Sequence, residues 1–546
     1  MTPALSPRRA VALWAQPVVD AFLGEHGLAS IPVLPQRPAR PEHGDMAINL
    51  AMRLAAELKR PPMEIATDLA ARLAPGGPAG AIEVAAPGFI NILLDPAWVF
   101  GSLPAVVEAG ADWGRSDYGD GRRVQVEFVS ANPVGPLLFS HGRGAVVGDT
   151  AARLLAFTGH AVEREYYIND AGRQVHVFAE SLIAARHGKP PPDDGYAADY
   201  IQELARQIPE HLLEGDGEAV EEAVLHWGVD HYLAEFREEL AAIGIHFDHW
   251  FSERNLFGDW EADTISELER AGVLRRHDQA TWMVLGDKED VLYKSNGEPT
   301  YLMGDLLYHR DKFVRRGFDV VIDVWGSDHQ NQVRRLKQAV QVFGVDPERF
   351  VVILIQLVRM KSEGEFVKIS KRAGNIILLS DLVSEVGADA VRYHYLLRSS
   401  DAPMDFDVDL ARSQSNENPV FYAQYAHARL CSVKAVAAEA GLAPDASAVG
   451  RLGTPAEVAL ARELLDFPDV VEEASRELAP HDLPHYGQRL AERIHGFYHA
   501  GNQDSTLRVV VDDRELAAAR LFLCEAARQT MANLLDLIGV AAPERM

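Results

Sequence analysis

Val124-Gln-Val-Glu-Phe-Val129 leads directly into Ser-Ala-Asn-Pro-Val-Gly-Pro-Leu-Leu-Phe-Ser-His141-Gly-Arg-Gly144, and this stretch decides the fold. The first six residues have the apolar, β-branched character of a buried strand. A Pro/Gly loop follows, and helical spacing then predicts a helix over about 142–158. Strand, loop, helix is the opening of a parallel α/β sheet. Ligands of such sheets sit outside the carboxyl ends of the strands. The helix start beyond the loop offers free N–H groups and partial positive charge to a phosphate. His141 stands at that corner, where it could bond a phosphate oxygen. Taken alone, the segment is equally a packed loop with one surface histidine.

Working outward, the α/β pattern returns at 318–325 and 350–357, with a helix between them near 331–343. Upstream, residues 1–115 form a small α+β unit. It contains a helix over 45–58, a second helix opened by Pro61-Pro62, and a strand-turn-strand around Pro87-Gly88. Residues 116–415 hold the sheet. Within them 195–275 is helical and acidic, as expected of an insertion between two halves of an α/β domain. Residues 416–546 have helical spacing throughout, broken at 441–455 and 501–504, as in a bundle.

The 546 residues and 47% hydrophobic content allow several cores, and the net charge is -27. Phosphate contacts need Lys and Arg, but net charge averages over a surface that can still carry a basic groove. Cys431 and Cys524 are too far apart in sequence for a Cys-x-x-Cys metal site. No metal-binding residues are expected. There is no signal-like start and no long apolar run, so a soluble, cytoplasmic protein is expected.

Two further segments carry chemistry. Lys368-Ile-Ser-Lys-Arg-Ala-Gly-Asn375 places two lysines three apart in a Gly-terminated loop. Such a loop can close over a triphosphate, or be an ordinary solvated turn. No Gly-x-x-x-x-Gly-Lys-Ser/Thr loop is present, which excludes a P-loop enzyme. Thr300-Tyr-Leu-Met-Gly-Asp305 puts Tyr301 and Asp305 on one helix face. A phenol and a carboxylate there suit a guanidinium, whose planar donors pair with acids.

In this order, the segments resemble class I aminoacyl-tRNA synthetases, specifically the arginine enzymes. Residues 131–141 are similar to that family's HIGH signature, and Lys368-Ile-Ser-Lys-Arg372 to its KMSKS loop. Tyr166-Tyr-Ile-Asn-Asp-Ala-Gly-Arg-Gln174, Asn418-Pro-Val-Phe-Tyr-Ala-Gln-Tyr-Ala-His-Ala-Arg429 and the ending from Leu537 also resemble family segments. So do Gly44-Asp-Met-Ala and Ala86-Pro-Gly-Phe-Ile-Asn91, in the N-terminal unit.

The resemblance implies a multidomain α/β protein. Its parts are a Rossmann-like parallel-sheet catalytic domain with a helical insertion, a small α+β tRNA-contacting domain, and an all-α anticodon-binding bundle. It implies ATP-dependent activation of arginine and transfer to tRNA(Arg), with Mg2+ carried by ATP, tRNA needed for activation, and a monomer. It assigns arginine to Glu127, Asn132, Tyr301 and Asp305. It assigns ATP to Ala131, Pro133, Gly135, Pro136, Ser140, His141, Asp328, His329 and Ser370, and transition-state stabilisation to His141, Lys368 and Lys371. It assigns tRNA to Phe89, Asn91, Tyr425, His427 and Arg429.

One motif departs from the family pattern. The HIGH signature normally runs His-x-Gly-His, and here it is Leu138-Phe139-Ser140-His141. Leu138 has no donor for a phosphate, and Ser140 adds a side chain where glycine would give the adenine room. A working ligase and a tRNA-binding paralogue that no longer charges both fit this departure. A small-molecule nucleotidyltransferase of the same fold is a third class, but it would leave the N-terminal unit and the C-terminal bundle without a use.

Overall fold

The structure, a computed structural model, describes residues 6–38, 40–286, 288–367 and 377–546, apart from the side chain of Pro41. The centre is a five-stranded parallel sheet. Its spatial order is Phe350–Ile355, Val320–Gly326, Arg123–Glu127, Ala161–Ile168, His249–Ser252. Val124, Val126, Val321, Ile322 and Phe350 are buried, as parallel strands covered on both faces require. The chain leaves Arg123–Glu127 in one direction for two strands, then returns to its other side at Val320–Gly326. The crevice between those two strands is the switch point where such sheets bind ligands.

The helix Phe139–Phe157 begins at this crevice and packs under the sheet through Val146, Val147, Leu154 and Leu155. Gly148 allows the close approach: a Cβ there would lie 2.4 Å from the ring of Phe128. The region expected to be a helical insertion does contain the helices Asp199–Arg206, Gly217–Ala242 and Asp259–Arg270. It also contributes His249–Ser252 to the main sheet, so 195–275 is not wholly an insertion. An antiparallel sheet of Leu274–His277, Ala280–Leu285 and Lys288–Tyr293 then leads into the helix Tyr301–Arg310.

The N-terminal unit has a three-stranded antiparallel sheet in the order Met46–Ile48, Phe89–Leu94, Ala79–Ala85. The expected helix over 45–58 divides into the strand Met46–Ile48 and the helix Leu50–Leu58. At the other end, Pro419–Glu439, Pro455–Arg476, Asp482–Gln503 and Arg514–Leu537 form the bundle. Thr454 and Glu457 make a reciprocal cap at one helix start. The Trp113 indole donates to the Leu464 carbonyl (3.3 Å), which ties the end of the N-terminal unit to the bundle.

Candidate active site

At the carboxyl end of Arg123–Glu127 the backbone turns sharply. Val129 (φ 68°) and Ser130 (φ 41°) both lie in the left-handed region, which a β-branched residue rarely enters. Side chains hold the corner. Ser130 Oγ donates to Glu127 Oε1 (2.9 Å) and accepts from the Tyr167 N–H (3.1 Å). Tyr166 OH donates to the Ala131 carbonyl (2.9 Å). Backbone strain of this kind persists only where surrounding contacts enforce it, and it concentrates at working sites.

Asn132 is exposed, and its Nδ2 donates to Gln174 Oε1 (2.8 Å). Pro133 is buried, and Ala131, Gly135, Pro136 and Ser140 are half-buried. Leu138 caps the helix start, and its N–H donates to His141 Nδ1 (3.1 Å). A ring nitrogen that accepts leaves the proton of the neutral imidazole on Nε2. His141 is thereby set as an Nε2–H donor at the positive end of the helix. Phe139 N–H donates to the Ile377 carbonyl (3.0 Å), and Leu379 N–H to the Leu137 carbonyl (2.9 Å). The chain that follows the lysine loop is thus hydrogen-bonded to the HIGH-like segment. Lys368, Ser370 and Lys371 themselves lie outside the described residues.

Beneath the crevice is a buried polar network. Lys312 is fully buried, and its Nζ donates to Glu127 Oε2 (2.7 Å) and Asp323 Oδ1 (2.8 Å). His309 Nε2 lies 2.8 Å from Asp323 Oδ2. Burial pushes the Glu127 carboxyl up against the pull of Lys312. Burial also opposes ionisation of Asp323, but Lys312 and His309 outweigh it and hold its carboxyl low. Glu127 was expected to meet arginine, and in the structure both its oxygens already have protein partners.

Tyr301 is 76% exposed at its helix start, with half-buried Asp305 one turn on. Burial pushes the Asp305 carboxyl up to about 6, and Asp323 adds to the effect. Glu253, which the sequence reading missed, lies beside it: a Cβ on Gly304 would sit 3.4 Å from Glu253 Oε1. Burial, with Asp170 and Asp305 nearby, pushes Glu253 up to about 7. Tyr167 and Ala171 lie near enough to this carboxylate to pull its pKa back down, yet its Oε2 is buried with no hydrogen-bond partner among the described residues. A buried carboxylate oxygen without a donor is costly unless a ligand supplies one.

Asp328 and His329 are exposed in the turn that ends Val320–Gly326. His329 Nδ1 donates to Gln332 Oε1 (3.1 Å), and the Asp328 carboxylate folds back over Gly326, where a Cβ would lie 2.5 Å from it. Glu163, Glu165 and His249 have ligand atoms within 4.8 Å of one another. Arg316 already bonds both carboxylates, so this cluster is satisfied by a protein cation.

Two expectations for the outer domains change. Asn91 is buried mid-strand in the N-terminal sheet. His427 is buried with Nδ1 donating to the Pro543 carbonyl (2.9 Å). Both pack the interior, because their positions in a paired strand and an inward helix face leave no surface to present. Phe89, Tyr425 and Arg429 are half-buried. The Arg429 guanidinium lies 4.6 Å from the ring centres of both Tyr425 and Tyr498. It borders a cavity of about 720 Å³ that also meets Arg508, Arg545 and Met546.

Comparison with known proteins covers nearly the whole chain. Residues 16–94 match the arginyl tRNA synthetase N terminal domain, 105–395 the tRNA synthetases class I (R) catalytic domain, and 423–546 the DALR anticodon binding domain. The arginine–tRNA ligase of Desulfitobacterium hafniense is 41% identical over 543 residues, covering 96% of each chain. That of Syntrophotalea carbinolica is 43% identical over 531 residues, covering 93% of this chain and 94% of the relative. The Thermus thermophilus arginyl-tRNA synthetase structure superposes with a TM-score of 0.78 at 25% identity, covering 99% of this chain and 100% of the other. A Mycobacterium tuberculosis methionyl-tRNA synthetase shares the fold alone, with a TM-score of 0.53 at 14% identity over 76% of this chain and 91% of the other. These matches lead to one assignment: the chain belongs to the arginyl-tRNA synthetase family of class I aminoacyl-tRNA synthetases.

Proposed function

We propose that this protein activates L-arginine with ATP and transfers it to the 3′ end of tRNA(Arg), forming arginyl-tRNA, AMP and diphosphate. One observation supports the arginine reading: Asp305 and Glu253 lie near each other, both half-buried, and one oxygen of Glu253 has no donor among the described residues. A guanidinium supplies planar, multiple donors to such a pair. Tyr301 closes its outer side, Asn132 holds the ammonium, and Glu127 adds negative potential from below.

The arginine carboxylate attacks the α-phosphorus of ATP, and the bond to the β-phosphate breaks. The terminal ribose hydroxyl of tRNA then attacks the adenylate carbonyl, and AMP leaves. No protein nucleophile takes part, so the protein's contribution is position and charge. His141 donates from Nε2 to a phosphate, Ala131, Pro133, Gly135, Pro136 and Ser140 shape the nucleotide side, and Asp328 and His329 serve the ribose. Lys368, Ser370 and Lys371 belong to the loop assigned to the triphosphate. Magnesium arrives with ATP. Phe89, Tyr425 and Arg429 serve tRNA. The protein works as a cytoplasmic monomer with three domains, 1–115, 116–415 and 416–546.

The test is arginine charging of tRNA(Arg) by the purified protein, with Leu138→His run beside it. Charging by the parent is the expected result. An added donor to the phosphates should raise the activation rate, by up to roughly a hundredfold. A parent that binds tRNA but never charges it, with Leu138→His active, would establish the paralogue reading instead.

A further inference from the structure

The segment after the second sheet strand sends two tyrosines to the substrate loop. Tyr200 packs on Gly135, where a Cβ would fall 3.1 Å from the phenol. Tyr196 is half-buried, with its N–H donating to Ser181 Oγ (3.0 Å) and its ring edge-on to Phe178 at 6.2 Å. Its phenol lies close enough to Gln174 and to Tyr301 for both to influence it. Gln174 in turn accepts from Asn132 Nδ2 (2.8 Å).

The direction of this chain matters. An amide has one donating and one accepting end. Gln174 meets Asn132 with its Oε1, and the Tyr196 phenol lies beside the same side chain. Asn132 must then offer its N–H to Gln174, which leaves Oδ1 turned the other way. A carbonyl oxygen attracts the ammonium of an amino acid, and an amide N–H would repel it.

We infer that Tyr196 and Gln174 are positioning residues, which hold the Asn132 amide with its oxygen toward the substrate ammonium. The inference rests on the proposed arginine site. Neither residue touches the reacting atoms. Their effect is confined to amino-acid affinity, whereas the nucleotide side of the crevice is held by other contacts. The acidic helical region thereby contributes to amino-acid affinity as well as to scaffold.

The experiment compares the full-length protein with Gln174→Leu, Gln174→Glu and Tyr196→Phe in arginine activation with tRNA(Arg) present. Losing one orienting hydrogen bond should raise the arginine KM in Gln174→Leu by roughly tenfold. The ATP KM and kcat should stay within about twofold, because the lost bond orients a group that contacts only the amino acid. Glutamate can still accept from Asn132, so Gln174→Glu should recover most of the loss. Tyr196→Phe should raise the arginine KM by a few-fold. An unchanged arginine KM in Gln174→Leu, or equal rises for arginine and ATP, overturns the proposal. A parent that neither charges nor is stabilised by arginine overturns the arginine reading, and this inference with it.

Discussion

Asp305 and Glu253 hold their protons more tightly than ordinary carboxyls because they are buried beside other acids. The proposed pairing with arginine requires them ionised. Protons and substrate therefore compete, and arginine binding is strongest above both values. As pH falls through about 7 and then about 6, first Glu253 and then Asp305 takes up a proton. The arginine KM should rise steadily over that interval, while the ATP KM changes less. A flat arginine KM from about pH 8 to about pH 5.5 would remove these carboxyls from the site. Asp305→Asn deletes a charge-assisted pair. At about 1.5–3 kcal/mol per hydrogen bond to a charged group, arginine activation should fall by roughly tenfold to more than a hundredfold. Lysine offers one compact ammonium, which leaves part of the acid pair without donors, so it should be rejected. The placement of Asp305 one turn from Tyr301 was legible in the sequence, because the two stand four apart on one helix. Glu253 was not, since its role depends on three distant segments, around Asp170, Glu253 and Gly304, meeting in space.

Lys312 acts at the scale of an element. It lies in a wide, π-helical turn, Asp311–Arg315, which follows the helix Tyr301–Arg310. Wide turns of this sort accompany functional sites because they re-aim side chains. Here the turn delivers a fully buried ammonium between Glu127 and Asp323, which sit opposite each other on adjacent strands. The ammonium is what allows two acids to share the floor of the crevice. Lys312→Met leaves both carboxylates buried without their cation, and breaking a buried pair in this way costs about 3–5 kcal/mol. A clear fall in thermal midpoint is expected, together with loss of activation. A midpoint equal to the parent's would show that the network carries no stability. Three of the five sheet strands were readable, because Val124, Val126, Val321 and Ile322 form apolar, β-branched runs, whereas Ala161–Ile168 was not, since Glu163, Arg164 and Glu165 interrupt its apolar pattern. His249–Ser252 was not, since four residues reading His-Trp-Phe-Ser carry too little pattern to stand out from flanking helices. Met46–Ile48 was hidden for the opposite reason: its apolar residues also fit the period of the helix that follows.

At the scale of the whole molecule, the parts meet at Arg392. Its guanidinium is fully buried and donates to the Ile538 carbonyl (2.6 Å), the Ile243 carbonyl (2.9 Å) and Asp149 Oδ2 (2.6 Å). These partners belong to the end of the last bundle helix, the end of the long helix Gly217–Ala242, and the helix that starts at the active site. Gly539 makes room for it: a Cβ there would lie 2.4 Å from the guanidinium, and its φ of +67° also favours glycine. Gly539→Ala should therefore lower the thermal midpoint and weaken the response of activation to tRNA more than it weakens tRNA binding. The order of segments made the three-part architecture legible, but this joint joins residues far apart in the chain and leaves no local pattern. The net charge of -27 is no guide to local basic clusters either, because it averages over them. Arg429, held between Tyr425 and Tyr498 beside Arg508 and Arg545, is such a cluster. Aromatic faces and guanidinium groups together suit unpaired bases and phosphates. Arg429→Ala should weaken tRNA(Arg) binding and reduce its salt dependence by about one contact, while the arginine KM at saturating tRNA stays unchanged. Titrating tRNA at several salt concentrations separates the outcomes. A lower affinity with an unaltered salt slope would mean that Arg429 only props the two rings, and an unaltered affinity would take this cavity out of the tRNA footprint.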